Sequence, residues 1–368
     1  MGASHRRGRR HGGRQSLPSH RIPLFSVLSR IVQKSTAIRY LSVLLAVILT
    51  VSALIGILNY LVDPLWFFGG NKLQPRNFAF DERIARIARF MSTDRDFDCY
   101  IFGASRVGMM NEHDFKGHSC FMVSFENASP SELIAYASYL KAHARREPAL
   151  VVVGVDDFDF IDQADAQDVP DVVREGGVPH FWKYYFSWDV ATWSLKTLFD
   201  LSPKARYFGK DLTGQIRADA RAIPVLRMTL KPGRKWHMSL TSVSEYAKFR
   251  QLFPEAHLVA YATPVAATRI AEYQASGLLP FYIRALSETS TKFDEMYDFS
   301  IPSAITADPN LTYDGSHYLP AVSGEIAAAI QRHDPSFGVM LTGRSTEELA
   351  ADYAKRLLQY CKYVEAKM

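Results

Sequence analysis

The stretch Asp98 to Ser105 reads D-C-Y-I-F-G-A-S. Asp98 to Phe102 is a short, mainly apolar run that stops at Gly103-Ala104-Ser105, the pattern of a parallel strand buried on both faces that runs into a loop. Ser105 then stands at the strand's carboxyl end. A second run, Ser119 to Phe125 (SCFMVSF), leads through Asn127-Ala128 into Ser129-Pro130-Ser131-Glu132. Here Ser129 fits a helix N-cap, Pro130 the first helical position and Glu132 the third, with Leu133, Ile134, Ala137 and Leu140 following on one face. A third run, Ala149 to Val155 (ALVVVGV), ends at Asp156-Asp157. Strand, loop, helix, strand is the rhythm of a doubly wound α/β domain.

Downstream the same rhythm returns. His257 to Ala262 (HLVAYA) reads as a strand ending in Thr263-Pro264, a helix follows through Ile270 and Tyr273, and Met296 to Phe299 fits another strand. Tyr313-Asp314-Gly315-Ser316-His317-Tyr318 precedes a helix that begins near Pro320, and Ser345 with Glu348 forms a capping box for a closing amphipathic helix. Residues 160 to 250 break the pattern with an aromatic cluster (Phe181, Trp182, Tyr184, Tyr185, Phe186, Trp188, Trp193) and a basic, Gly/Pro-punctuated stretch from Lys204 to Lys235. That segment reads as an inserted, mainly helical cap. Its aromatics suit a sugar-binding groove or a membrane contact, although a stripe at helical spacing is more often core.

Upstream, Tyr40 to Val62 is an uncharged apolar run of 23 residues, about 34 Å long as a helix and sufficient to span a bilayer core. A cleaved signal peptide is the competing reading, but the run ends at Tyr60, Asp63 and Pro64 rather than at a small-residue cleavage site. Residues 1 to 39 hold eight Arg, one Lys and no acidic residue. Nine of the 43 basic residues lie there, so the remaining 34 face all 38 acidic ones and the chain from Tyr40 onward carries −4. Basic residues flanking a span stay on the cytoplasmic side; topology explains the tail more economically than nucleic acid, which is not an expected partner. His5, His11 and His20 lie in a Gly/Ser/Arg-rich stretch that suits disorder better than a metal.

The expected division is a basic cytoplasmic tail at 1–39, a transmembrane helix at 40–62 and a membrane-proximal connector at 63–97 that includes a helix near Asp81 to Met91. An α/β domain at 98–335 follows, with the insertion at 160–250, and then a C-terminal helix at 336–368 packed on the domain. Cys99, Cys120 and Cys361 cannot all pair within one chain, and no C-x-x-C occurs. Cys99 and Cys120 fall in predicted strands and could bond only if those strands are neighbours, so buried free thiols are the expectation.

Ser105 and the Asp314-x-x-His317 pair are far apart in sequence, but an open parallel sheet brings both to its carboxyl edge, where ligands bind. His317 could take the Ser105 proton, and Asp314 could fix the imidazole tautomer. Each also has a plain reading, as a turn serine, a turn aspartate and an ordinary histidine. Gly103-x-Ser105-x-x-Gly108 is neither a Walker loop nor a dinucleotide fingerprint, and Glu112-His113-Asp114 lacks the second cluster a metal would need.

Phe102-Gly103-Ala104-Ser105-Arg106, Asn127-Ala128-Ser129, Gly154-Val155-Asp156 and Asp314-Gly315-Ser316-His317 together resemble, in block order, the SGNH (GDSL-type) hydrolase superfamily. The resemblance is to its membrane-anchored bacterial branch, which is associated with surface polysaccharides and cell-envelope polymers. It covers roughly residues 98 to 335, and the D-x-x-H block is its most specific element. It implies a three-layer, flavodoxin-like doubly wound sheet, with Ser105 as nucleophile, His317 as base and Asp314 as its orienting partner. The Ser105 N–H and Asn127 are the oxyanion-hole candidates, and Arg106 and Asp156 candidate substrate-binding residues. For Asn127, a turn role ahead of the Ser129 cap is equally open. Two departures stand out: Ala104 replaces the usual Asp of the first block, and Asp156 replaces the usual third-block Asn. A carboxylate donates no hydrogen bond unless protonated.

The expected function is a serine esterase or O-acyltransferase on the bacterial inner membrane, single-pass, with its C-terminal domain periplasmic. It would act on ester groups, O-acetyl above all, of an exported polysaccharide or other envelope polymer, beside a membrane acyltransferase or polysaccharide synthase. It needs no cofactor or metal. The alternative is a catalytically silent subunit that binds glycan or a partner protein, and a third reading is a plain structural scaffold.

Overall fold

The computed structural model describes residues 24–78, 80–161, 168–202, 205–209, 213–217 and 237–366, with side chains from Thr36 onward. The first 23 residues of the basic tail, and most of the basic stretch between Lys204 and Lys235, lie outside the described residues. The first elements are α1 (Leu24–Val62), β1 (Asn77–Phe78), α2 (Glu82–Ser92), β2 (Cys99–Gly103), β3 (Cys120–Ser124), α3 (Pro130–His143) and β4 (Leu150–Val155). Between β4 and the next long strand come α4 (Asp171–Arg174), α5 (Phe181–Tyr185), α6 (Trp188–Leu198), β5 (Arg206–Phe208), β6 (Gly214–Ile216) and α7 (Thr241–Leu252). The chain continues with β7 (His257–Ala262), α8 (Ala267–Ala275), α9 (Leu279–Ser290), β8 (Glu295–Asp298), α10 (Pro320–Arg332), β9 (Val339–Met340) and α11 (Thr346–Glu365).

Six strands form one mixed, mostly parallel sheet in the order β3-β2-β4-β7-β8-β9, in which only the edge strand β9 is antiparallel to its neighbour. Successive side chains of a strand point to opposite faces. Tyr100, Phe102, Val151 and Val153 accordingly enter one buried cluster, while Ile101, Met122 and Val152 enter a second on the other side. With both faces covered, these strands read as continuous apolar runs rather than as alternations. Helix starts follow local chemistry. Ser129 Oγ accepts the Glu132 N–H at 3.2 Å with Pro130 in the first turn. Ser345 and Glu348 cap each other reciprocally at the start of α11, and Asp81 caps α2 through the Ile84 N–H.

Two features depart from the sequence reading. Cys99 and Cys120 are direct partners in the parallel β2–β3 register, 4.2 Å apart at Cα, and form a disulfide. The expected buried free thiols are corrected by register alone, because a shift of one residue would turn the two side chains to opposite faces. The segment between β4 and β7 is also more than a helical cap. Its β5 pairs with β1 of the membrane-proximal connector on one side and with β6 on the other, in a small antiparallel sheet, and its last helix, α7, packs on α3.

Within α1, Thr36–Val62 is the stretch long and apolar enough to cross a membrane, with a mean hydropathy of 2.8 over an 18-residue window. The residues from Ile55 onward belong to the compact unit that holds the sheet.

Candidate active site

Ser105 is placed by two glycines. Gly103 ends β2, Gly154 lies near the end of the adjacent β4, and a Cβ on either would fall 2.2 or 2.3 Å from Val107 Cγ2. Val107 fills the notch these glycines leave, which draws the chain after Ser105 down into a tight 3-10 turn at Val107–Met109. In that turn the Ser105 carbonyl accepts the Gly108 N–H at 3.2 Å and Arg206 Nη1 at 3.1 Å. The Ser105 N–H is engaged by none of the described residues. Arg206 comes from β5 of the insertion and is itself paired with Glu82 of α2.

His317 reaches Ser105 from the loop before α10. Its Nε2 lies 2.8 Å from Ser105 Oγ, and its Nδ1 lies 2.6 Å from Asp314 Oδ2. A carboxylate can only accept, so Nδ1 carries the proton and Nε2 is left free to take the serine's. The other Asp314 oxygen accepts the Ser316 and His317 N–H groups at 2.9 and 2.8 Å. One Asp314 oxygen thus closes the turn while the other holds the imidazole. Burial raises the Asp314 carboxyl, but the hydrogen bond and charge of His317 with the two backbone donors outweigh it and hold it below the usual range. Tyr313 stacks on the imidazole with ring centres 5.5 Å apart. Its phenol is pushed up to about 12, mainly by burial.

Asn127 takes a left-handed backbone conformation with φ 54° in the loop after β3. Because Gly103 and Ser124 are register partners, that loop leaves the sheet beside the one carrying Ser105. The Asn127 side chain is exposed and has no hydrogen-bond partner among the described residues. Ala104 is buried in the larger core cluster.

Arg106 and Asp156, both named above as substrate-binding candidates, meet each other instead of open space. Arg106 Nη1 donates to Asp156 Oδ1 at 3.1 Å and to Asp157 Oδ1 at 2.5 Å, and Nη2 donates to Ser316 Oγ at 3.2 Å. These side chains are 6, 7 and 0 % exposed for Arg106, Asp156 and Asp157. Thr263, at the end of β7, also donates to Asp156. The Asp156 carboxylate thus accepts from Arg106 and Thr263 and offers no hydrogen of its own. Behind it, Asp157 accepts from Tyr273 at 2.5 Å and lies 3.6 Å from Arg269. Burial raises Asp157, but Arg106 and Arg269 more than reverse that and hold it low.

Asp159 behaves oppositely. Although the residue as a whole is partly exposed, its Oδ2 turns inward to accept the Tyr246 OH at 2.5 Å and the Asp156 N–H at 2.7 Å. Burial, with the Asp156 charge, raises it to about 8. Starting from an ordinary value of 3.8, the folded chain holds a proton between about pH 4 and pH 8 that the unfolded chain has released, so this group's stabilisation falls as pH rises through that window. The Asp159→Asn variant is expected to flatten that fall, which thermal melts at about pH 5 and pH 8.5 will read. An unchanged slope would show that Asp159 titrates normally.

Arg206, Tyr313, Thr263 and Arg269 were not singled out from the sequence. The one signal was three acids, Asp156, Asp157 and Asp159, directly after a buried strand without a neighbouring base; such a group needs cations from elsewhere. Glu112 accepts the Met122 N–H at 2.9 Å and pairs with Arg89, and Asp114 caps its own turn. No group of three or more His, Cys, Asp or Glu positioned to hold a metal occurs among the described residues.

Fold and site define an α/β protein with a serine–histidine–aspartate relay at the carboxyl edge of a mostly parallel sheet. No family model matches the chain, and neither the curated proteins nor the solved structures give a match to it.

Proposed function

We propose that this protein is a membrane-anchored, SGNH-like serine esterase or O-acyltransferase that acts on ester groups, chiefly O-acetyl groups, of an exported polysaccharide. The observation that carries the proposal is the unbroken relay Ser105 Oγ to His317 Nε2, and Nδ1 to Asp314. Ser105 Oγ attacks the acyl carbonyl as His317 takes its proton. The tetrahedral adduct, steadied by the Ser105 N–H and by Asn127 if that side chain turns inward, collapses as His317 returns the proton to the departing sugar oxygen. Water or a second sugar hydroxyl then releases the acyl group in the reverse sequence, the first outcome being hydrolysis and the second transfer. Counted among the parallel strands alone, the order 2-1-3-4-5 is a flavodoxin-like one, and Ser105 and Asp156 follow the two strands at its switch point. The Cys99–Cys120 disulfide suits an oxidising compartment such as the periplasm, and the basic tail suits a cytoplasmic N-terminus.

A catalytically silent glycan- or partner-binding subunit is the second reading, favoured by the locked Asp156 carboxylate. A fluorophosphonate probe separates the two. Labelling of the folded chain that vanishes in Ser105→Ala supports the enzyme, and release of acetate from an O-acetylated polysaccharide would fix the bond. Folded chain that takes no label favours the silent subunit.

A further inference from the structure

The aromatic segment of the insertion is divided between core and surface. Tyr185 is 2 % exposed, yet Phe181, Trp182, Phe186 and Trp188 around it are 40, 56, 55 and 68 % exposed. This exposed set is continuous with the end of α1. Tyr60 on α1 meets Phe68 at 5.0 Å between ring centres, Phe68 meets Phe181 at 5.4 Å, and Phe181 meets Trp182 at 5.6 Å. The buried side of the same segment grips the helix. Asn59 donates to the Tyr185 carbonyl at 2.8 Å and accepts from Ser194 at 2.8 Å, while the Tyr185 hydroxyl donates to the buried Asp63. Phe186 lies directly over Gly56, where a Cβ would come within 2.9 Å of its ring.

These contacts set depth. Gly56 precedes Val62 by six residues, about 9 Å of helix. Whatever level the last two turns of α1 occupy, Phe186 shares it; Trp182 joins the same helix end through Phe181 and Phe68, and Trp188 follows Phe186 by two residues at the start of α6. Where Thr36–Val62 crosses a bilayer, that level is the boundary between acyl chains and headgroups, the zone in which Trp and aromatic side chains concentrate. Lys72 Nζ lies 4.4 Å over the Tyr60 ring and donates to the Tyr60 carbonyl at 3.1 Å, which places a cation at the end of α1. A sugar platform would need these rings in water, away from the apolar helix they adjoin.

Resting on the reading of Thr36–Val62 as a span, we infer that α5 and α6 form a membrane foot: Phe181, Trp182, Phe186 and Trp188 insert into the interface of the leaflet from which α1 emerges. The foot gives the anchored domain a second point of attachment and fixes its orientation on the lipid surface.

The full chain, reconstituted in phosphatidylethanolamine/phosphatidylglycerol vesicles with brominated acyl chains, tests this by tryptophan quenching. The exposed rings of Trp182 and Trp188 should carry most of the bromolipid-dependent loss, so that it falls roughly twofold or more in W182F/W188F and persists in W193F. Equal quenching in wild type and W182F/W188F, or none in wild-type chain that floats with the vesicles after carbonate extraction, overturns the foot and leaves the span standing. Chain that does not float overturns the span and the foot together. None of these readouts involves activity, so they are independent of the esterase proposal.

Discussion

Replacing Ser105 or His317 by alanine is expected to abolish fluorophosphonate labelling and to lower ester turnover by roughly 10⁴-fold or more, each about as much as both together. The reason is that in the proposed esterase the relay acts as a unit. Ser105 Oγ is a weak nucleophile unless its proton has somewhere to go, and His317 Nε2 at 2.8 Å is the acceptor placed for it. Asp314→Asn makes the sharper test. Its retained oxygen still accepts the Ser316 and His317 N–H groups that hold the turn, so the loop keeps its shape. The new amide, however, donates toward His317 Nδ1 and forces the proton onto Nε2, where it blocks general-base catalysis. Turnover should drop by several orders of magnitude with Tm nearly unchanged. A variant with near wild-type turnover would remove Asp314 from the mechanism.

The second large effect concerns Arg106. Arg106→Met is expected to destabilise the fold by about 3–5 kcal/mol, because it strands two buried carboxylates. Asp156 and Asp157 both take their closest charged partner from this guanidinium, and Thr263, Tyr273 and the more distant Arg269 supply only part of what is lost. Arg106→Lys should recover little, since one ammonium cannot reproduce a fork that serves Asp156, Asp157 and Ser316 at once. Chemical denaturation of Arg106→Met, Asp157→Asn and the double variant forms a cycle. The double variant should be more stable than Arg106→Met alone, and strict additivity would show that the pair is not coupled.

The Arg106 network also bears on Asp156. An asparagine there could donate to an oxyanion; this carboxylate instead ties the strand end of β4 to the residue after Ser105. Through Arg106 Nη2 and Ser316 it also reaches the loop that carries His317. In the proposed esterase, Asp156 would thus support the relay from below instead of donating to it. On that proposal, the oxyanion would rest on the Ser105 N–H and on the loop that carries Asn127.

Much of the fold was legible in the sequence because its signals are local. The apolar runs at Cys99–Gly103, Leu150–Val155 and His257–Ala262 mark strands because burial on both faces leaves no room for polar alternation. Ser129-Pro130 and Ser345…Glu348 mark helix starts because a cap is satisfied within four residues. Asp314 and His317 were legible as a pair for the same reason: three residues separate them, and one turn brings the carboxylate to the imidazole.

What only the tertiary structure decided depends on groups brought together from far apart. Nothing near Cys99 or Cys120 states that their strands are neighbours in register. Nothing near Asp156 states that its partners are residues 50 and 107 positions away. The aromatic cluster was ambiguous for the same reason. A hydrophobic ring obeys one rule in core, groove or lipid, namely removal from water, and the contacts of Phe186 with Gly56 and of Phe181 through Phe68 with Tyr60 tell which of the exposed rings lie beside the apolar helix. Sequence by itself determined the five parallel strands of the main sheet, the caps and the apolar helix, and it named the three side chains that meet in the relay. Their convergence at hydrogen-bond distance, the lock on Asp156 and the seat of the aromatic foot required the packed chain, because each depends on distances between residues that no local pattern constrains.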